Sequence, residues 1–307
     1  MGEPETSPAL GPVQLRRARR LARLADTSRH LPISFAIVGA QKAATSTLYR
    51  RLVRHPHVVA GPEKEMRFFL EDWRDWQNPD YTDYVRPAMS ARARIAGDAT
   101  PDYIVWPGAL ARMAAYRPEM KIILSVRDPI ERAVSQWSME RDRNPRFPEF
   151  ADAVSRWATP TIPANVPEGT GISKFLRETI FARGLYGQQI RNGLESFPAD
   201  QWLIVDFHDV TREGDQVMDR ITDFLGLDRF DSHPPAIHRN QTRVDHGVAP
   251  VPAQVIERLV ALYAEDLDLL QQQSGLSLGH WPTVRAARGE LPAADFAARV
   301  SAKIGAR

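Results

Sequence analysis

The sequence predicts an α/β protein whose central parallel sheet is flanked by helices. Two observations support this fold class. Continuous apolar runs of strand length recur along the chain, as buried parallel strands require, and each is followed by a helical pattern. The clearest runs are ISFAIVG (33–39), KIILSV (121–126) and QWLIVDF (201–207), with ARIAGDAT (93–100) a weaker fourth. Strands that alternate with helices favour a parallel sheet with right-handed crossovers.

Helical patterns follow these strands along the chain. They cover residues 46–54, 107–116, 129–143, 184–196, 213–225 and 252–273. The proline-rich stretch 158–171 is predicted to be a mobile loop, and 228–252 a long irregular segment. Ligands bind at the carboxyl ends of the strands in such sheets, so long loops at that edge are candidates for a substrate gate.

Composition excludes several classes of protein. Among 307 residues, 40 lysines and arginines face 38 acidic residues, and a net charge of +2 argues against a generally basic nucleic-acid binder. Without cysteine the chain has no disulfide framework, thiolate metal site or cysteine nucleophile. No apolar run approaches the ~20 residues of a membrane span. No signal-peptide core is present either, so we expect a cytoplasmic protein.

Three parts are predicted along the chain. Residues 1–30 are predicted to form an arginine-rich helical extension, 31–283 the main α/β domain, and 284–307 a helical tail. The extension has one apolar face. A membrane-surface or partner helix is therefore an alternative, but a solvated helix packed on the domain edge is favoured.

The stretch FAIVGAQKAATSTLYRRLVRHP is typical of a strand, a tight turn and a helix. A helix beginning at Thr45 or Ser46 would direct its free N–H groups towards an anion, and Lys42 would add a full positive charge. The structural alternative is an ordinary capped turn with Lys42 in solvent. This stretch alone favours neither interpretation.

A second strand, turn and helix follow at KIILSVRDPIERAVSQW. Asp128 is predicted to cap the helix and Glu131 to complete a capping box, which explains this turn without any function. Arg127 is different, because it lies at the carboxyl end of a buried strand. Ser135 lies two helical turns beyond Asp128 on the same face. Arginine and serine together suit a second phosphate, so the sequence predicts a nucleoside with phosphates at both ends.

Five segments of the chain, in this order, resemble the sulfotransferase family that uses 3′-phosphoadenosine 5′-phosphosulfate. They are GAQKAATSTL, HPHV, EKEMRFF, DATPDYI and VRDPIERAVSQW. The similarity is greatest to the branch that contains heparan sulfate sulfotransferases and bacterial small-molecule sulfotransferases. The ordered match covers about residues 33 to 140. The resemblance implies a P-loop-like three-layer fold, sulfuryl transfer, and adenosine 3′,5′-bisphosphate as the second product.

The resemblance also implies roles for individual residues. The family's 3′-phosphate contacts correspond to Arg127 and Ser135, and its carboxylate base to Glu65. Asp98 is a candidate to line the acceptor pocket, with the cap of a turn as the alternative. The 5′-phosphosulfate loop corresponds to Lys42, Ala43, Ala44, Thr45, Ser46 and Thr47.

The chain departs from the family pattern at several positions. Many relatives have glycines where this chain has alanines at 43 and 44. Relatives often carry a histidine where this chain has Arg67, and a lysine where it has Ala99, so part of the charge stabilisation is assigned to Arg67. Arg243 is the candidate for the basic residue that closes over the nucleotide.

We therefore expect sulfuryl transfer to a hydroxyl, and less readily to an amine, of a small-molecule or saccharide acceptor. Glu65 would act as general base, and Lys42 would stabilise the leaving phosphate. No metal site and no nucleic-acid partner are expected, and the oligomeric state stays open, with a homodimer among the alternatives.

Two other functions are considered. A P-loop kinase is disfavoured by the missing G-K-[ST], and a non-catalytic nucleotide- or glycan-binding module by the presence of Lys42 and Glu65.

Overall fold

The computed structural model describes residues 30–61, 64–87, 92–235 and 247–305. Its centre is a sheet of six strands in which five are parallel, in the order β2-β4-β1-β5-β6, while β3 pairs antiparallel with the start of β1. The prediction of a central parallel sheet is confirmed. The strands are β1 (His30–Gly39), β2 (Val58–Ala60), β3 (Val85–Pro87), β4 (Ile95–Asp98), β5 (Lys121–Val126) and β6 (Trp202–Asp206).

Helices cover both faces of the sheet. The first six helices are α1 (Thr45–Leu52), α2 (Ala109–Tyr116), α3 (Pro129–Arg143), α4 (Phe150–Trp157), α5 (Ile172–Glu178) and α6 (Tyr186–Leu194). The others are α7 (Phe207–Arg212), α8 (Gly214–Phe224), α9 (Ala253–Ser274), α10 (Pro282–Ala287) and α11 (Ala293–Lys303). The six predicted helices and four predicted strands are present, whereas the short elements β2, β3, α4, α5, α7 and α10 were not predicted.

The central strand shows how the layers form. Along β1, Phe35 and Ile37 contribute to one buried cluster with α1 and α8, and Ala36 and Val38 to a larger one with α3, α6 and α9. Side chains of a strand alternate between the two faces of a sheet, so β1 anchors helices on both sides. The three-layer arrangement follows from this alternation.

The C-terminal helices join the larger cluster. Phe296, Val300 and Ile304 are all buried there, and the Nζ atom of Lys303 lies 3.7 Å from an oxygen of Glu131 on α3. Helix α10 spans the predicted boundary between residues 283 and 284. The tail therefore packs beside the loop that follows β5. Of the predicted N-terminal extension, all but residue 30 lies outside the described residues, as does Arg243.

Candidate active site

A cleft of about 610 Å³ opens at the carboxyl ends of β1 and β5. These strands are neighbours and run parallel, so the loops that follow them meet at one edge of the sheet. The structure brings together nine predicted site residues on the walls of this cleft. They are Lys42, Ala44, Thr45, Ser46, Thr47, Glu65, Arg67, Arg127 and Ser135.

The loop between β1 and α1 turns its carbonyl groups towards β5. The Ser125 hydroxyl donates to the Ala43 carbonyl at 2.6 Å, and Arg127 Nη1 donates to the Lys42 carbonyl at 3.3 Å. The Ala43 side chain is fully buried in the core, which explains why Ala43 is not part of the cleft wall. Because these carbonyl oxygens already accept hydrogen bonds, they repel a bound anion less than free carbonyl oxygens would.

The start of α1 is open. Ala44 precedes the helix in a left-handed conformation, with φ of 62°, and no described side chain caps the helix. The first N–H groups of an α-helix have no partner within the helix, and its dipole places partial positive charge there. The loop therefore presents unused donors to the cleft, beside the hydroxyl groups of Ser46 and Thr47.

Positive charge is concentrated at this loop. Burial lowers the pKa of Lys42, and the nearby Arg127 and Arg143 lower it further. No carboxylate in the described part of the chain forms an ion pair with Lys42. A bound anion would offset both the burial of this ammonium and its repulsion from the arginines.

Arg127 is held on several sides. Its Nη2 atom donates to Glu131 at 3.1 Å, and its guanidinium lies 4.4 Å from the ring centre of Phe207. Its Nε atom is buried and has no hydrogen-bond partner within the described residues. A buried donor without an acceptor is costly. Arg127 is thus oriented before any ligand binds, in the cleft that Ser135 also lines.

Glu65 lines the same cleft. One carboxylate oxygen accepts from Lys64 Nζ at 3.0 Å and the other from Arg67 Nη2 at 3.2 Å. The Arg67 amide donates to the hydroxyl of Thr100, which ties this loop to the end of β4. Glu65 thus faces the same cleft as the loop before α1. Glu63, the other acidic residue of this stretch, lies outside the described residues.

Backbone strain concentrates at this cleft. Within the described residues, the non-glycine residues with positive φ are Lys42 (74°), Ala44 (62°), Glu65 (66°) and Arg67 (57°), and all four line it. A non-glycine residue in the left-handed region costs roughly 1–2 kcal/mol. Strain of this kind persists where the surrounding structure imposes it, often at functional sites.

Asp98, the predicted acceptor-pocket residue, lies in the core instead of on the cleft wall. It is fully buried and accepts hydrogen bonds from the hydroxyls of Tyr84 (3.1 Å), Tyr103 (2.8 Å) and Thr100 (3.1 Å). Burial raises its pKa, and these bonds oppose the rise. Through Thr100, Asp98 supports the loop that carries Glu65.

A second cleft of about 470 Å³ adjoins the first, and sequence analysis missed it. Eight of its ten lining side chains are polar or charged, so it suits a polar ligand. The only sequence signal was a polar face on α3, formed by Gln136, Glu140 and Arg143. The full lining is Gln41, Arg67, Gln136, Glu140, Arg143, Asn144, Phe147, Ser173, Leu176 and Arg177.

The described residues show neither a metal-binding cluster nor a membrane-spanning helix. No three or more histidine or acidic side chains are grouped so that they could hold a metal ion. No described helix combines the length and the apolar character that crossing a membrane requires.

The family model for the sulfotransferase domain matches residues 34–243. This chain belongs to the sulfotransferase family. Mouse heparan sulfate glucosamine 3-O-sulfotransferase 3A1 is 30% identical over 225 residues, which cover 72% of this chain and 52% of the relative. Human bifunctional heparan sulfate N-deacetylase/N-sulfotransferase 3 is 26% identical over 226 residues, covering 70% of this chain and 24% of the relative. The chain thus spans about half the length, or less, of these two curated relatives.

A sulfotransferase from Alicyclobacillus acidocaldarius, known from its crystal structure, shares the fold. The TM-score is 0.61 at 23% identity, and the match covers 81% of this chain and 98% of that one. The predicted family and its P-loop-like α/β fold are confirmed.

Proposed function

We propose that this chain transfers a sulfuryl group from 3′-phosphoadenosine 5′-phosphosulfate to a hydroxyl of a polar acceptor. The observation that carries the proposal is the first cleft itself. Its lining combines an open, cationic helix start, a held arginine and serine, and the carboxylate of Glu65. Membership of the sulfotransferase family supports the same reaction.

The residues of this cleft suit the donor's two anionic ends. The loop of residues 42–47 offers unused N–H groups, hydroxyls and the Lys42 ammonium, as a 5′-phosphosulfate requires. Arg127 and Ser135, which both line the cleft, would bind the 3′-phosphate through the guanidinium and the hydroxyl. When bound, the donor supplies the sulfuryl group and a 5′-phosphate leaving group.

Glu65 would accept the proton of the acceptor hydroxyl. As the acceptor oxygen forms its bond to sulfur, the bond between sulfur and the bridging phosphate oxygen breaks, and its electron pair stays on the 5′-phosphate. Lys42 and the loop amides would stabilise the charge that develops there. Each oxygen of Glu65 accepts one hydrogen bond, from Lys64 or from Arg67, and keeps a second lone pair. An acceptor hydroxyl can therefore donate to Glu65 beside them.

The second cleft supports a polar acceptor. Phe147 and Leu176 supply its only apolar side chains among the described lining residues, whereas hydroxyl, amide and charged groups surround them. A small polar metabolite or a saccharide fits this chemistry, and the named relatives act on heparan sulfate. The net charge of +2 gives no support for a highly anionic polymer.

The test is a transfer assay with the sulfuryl donor and a panel of polar acceptors, in which products are detected by mass. Changing Glu65→Gln removes the proton acceptor but keeps the shape, so transfer should fall by ~10²–10⁴. Binding of adenosine 3′,5′-bisphosphate should survive, which is measured by calorimetry.

Glu71→Gln is the matched control. The Glu71 carboxylate also pairs with an arginine, Arg74 at 2.6 Å, but it lines neither cleft. Loss of transfer in Glu63→Gln with full transfer in Glu65→Gln would show that the base is misplaced. Tighter binding of ATP with Mg²⁺ than of the bisphosphate would favour a kinase instead, and bisphosphate binding without transfer to any acceptor a binding module.

A further inference from the structure

The two clefts share three lining side chains, Gln41, Arg67 and Arg143. In an in-line displacement the entering and leaving oxygens lie on opposite sides of the transferred group. If one cleft holds the donor and the other the acceptor, the transferred group lies where the clefts meet. Gln41 lies at this junction, directly before Lys42, and the sequence motif that contains it gave it no role.

We infer that Gln41 donates a hydrogen bond to the sulfuryl group during transfer and is a catalytic residue beside Lys42. The inference rests on the proposed function. It assigns a separate task to each of two consecutive residues, because Lys42 would act on the leaving oxygen and Gln41 on the group in transit.

A hydrogen bond from Arg183 fixes the orientation of the Gln41 side-chain amide. Arg183 Nη1 donates to the Gln41 side-chain oxygen at 3.1 Å. A guanidinium can only donate, so the amide oxygen must be the atom it holds, which turns the NH₂ group away from Arg183. The side chains of Arg183 and its ion-pair partner Asp102 are only 3% and 0% exposed.

The other two junction residues are less constrained. Arg67 is 46% exposed and pairs with Glu65, and Arg143 is 66% exposed with Glu140 at 3.6 Å. Gln41, in contrast, is anchored through a buried ion pair. A donor fixed before the reaction stabilises developing charge without reorganisation, which is the property that makes such groups effective in catalysis.

Two substitutions of Gln41 test the inference. Gln41→Met removes the donor at similar size, and Gln41→Glu keeps the shape and the contact with Arg183 but places negative charge against the sulfuryl oxygens. We expect kcat to fall ~10–100-fold in Gln41→Met and further in Gln41→Glu, since loss of one such donor costs up to ~10³ in kcat. The acceptor KM should stay unchanged in Gln41→Met.

Nucleotide affinities provide a readout that needs no acceptor. Adenosine 3′,5′-bisphosphate lacks the sulfuryl group, so its Kd should be the same in wild type and Gln41→Met. The Kd of the sulfuryl donor should rise in Gln41→Glu relative to that of the bisphosphate. Asn144→Ala, at a residue that lines the second cleft and not the first, is the contrast and should raise acceptor KM while kcat is retained.

Wild-type kcat in both Gln41 variants would overturn the inference, and so would a raised acceptor KM with unchanged kcat, which would place Gln41 on the acceptor. These outcomes leave the proposed function intact. If the wild-type chain binds the bisphosphate no better than adenosine monophosphate and transfers nothing, the proposed function and the inference both fail.

Discussion

Two loops of this molecule have the same position in the topology but differ in whether the start of the following helix is capped. Each connects a central strand to a helix at the same edge of the sheet. Before α1 stands Ala44, left-handed and without a cap, so the helix start is open. Before α3 stands Asp128, whose carboxylate accepts from the Glu131 amide at 3.0 Å and closes the helix start. The open loop can bind an anion through its backbone, whereas the closed loop can do so only through the side chains of Arg127 and Ser135.

The closed loop is also tied to the end of the chain. The amide and hydroxyl of Thr283, at the start of α10, donate to Asp128 at 2.7 and 2.9 Å. Lys303 of α11 lies 3.7 Å from Glu131, the residue that holds Arg127. The residue that precedes the helix thus decides whether the helix start is free to bind a ligand or is closed by contacts within the protein.

Removing the cation of the open loop should have the largest effect. Lys42→Ala should lower kcat by ~10²–10³, more than it weakens donor binding, because its contact strengthens as charge develops on the leaving oxygen. Lys42→Arg should restore activity only in part, since a planar fork does not reproduce a compact ammonium. Steady-state kinetics and calorimetry measure the two effects. Near-normal turnover in either variant would limit Lys42 to positioning.

Opening the closed loop should affect stability. Asp128→Ala removes a helix cap and leaves the Thr283 donors buried without an acceptor, so the free energy of unfolding should fall by about 2–3 kcal/mol. Denaturant unfolding measures this change. A loss below about 0.5 kcal/mol, the range of ordinary surface substitutions, would contradict the role of Asp128 as the closure of this loop.

The same carboxylate should give stability a pH dependence. Burial raises the pKa of Asp128 from 3.8 to about 6, although the amides of Glu131 and Thr283 lower it. The folded state therefore binds this proton more readily than the unfolded state. The resulting stabilisation is complete below pH 3.8 and is lost as the pH rises through about 6. Wild type should lose stability relative to Asp128→Asn between pH 4 and 7; a relative gain would contradict the assignment.

Closing the open loop is the third and smallest change. Ala44→Asp places a carboxylate beside the unused N–H groups, so the affinity for adenosine 3′,5′-bisphosphate should fall ~10–100-fold through competition and repulsion. Ala44→Asn has the same shape without the charge and should have a weaker effect, and Ala44→Gly should bind normally. Unchanged affinity in Ala44→Asp would mean that the helix start does not contact the nucleotide.

Local patterns explain what the sequence could predict. The strands β1, β5 and β6 are continuous apolar runs, and the start of α3 follows from Asp128 and Glu131, so both were predicted from neighbours in the chain. The phosphate-loop motifs and the family resemblance together led to nine residues that line one cleft. These features depend on adjacent residues, which sequence patterns report directly.

Features that depend on distant residues were missed. The Gln41 amide is oriented by Arg183, which lies 142 positions away in the chain. The buried carboxylate of Asp98 accepts hydrogen bonds from hydroxyl groups at three separate positions. The second cleft joins side chains of α3 and α5 with the loop before α1. The role of Arg243, the N-terminal helix, the cytoplasmic location and the homodimer stay predictions.

The most direct test of the account is a titration of adenosine 3′,5′-bisphosphate and adenosine 5′-monophosphate into wild type and Arg127→Ala. If the open loop binds the 5′ end and Arg127 the 3′-phosphate, wild type should prefer the bisphosphate by roughly ten- to a hundredfold, the value of one charge-assisted contact. Arg127→Ala should lose most of this preference while its affinity for the monophosphate is retained. Equal binding of both nucleotides to wild type would contradict the account.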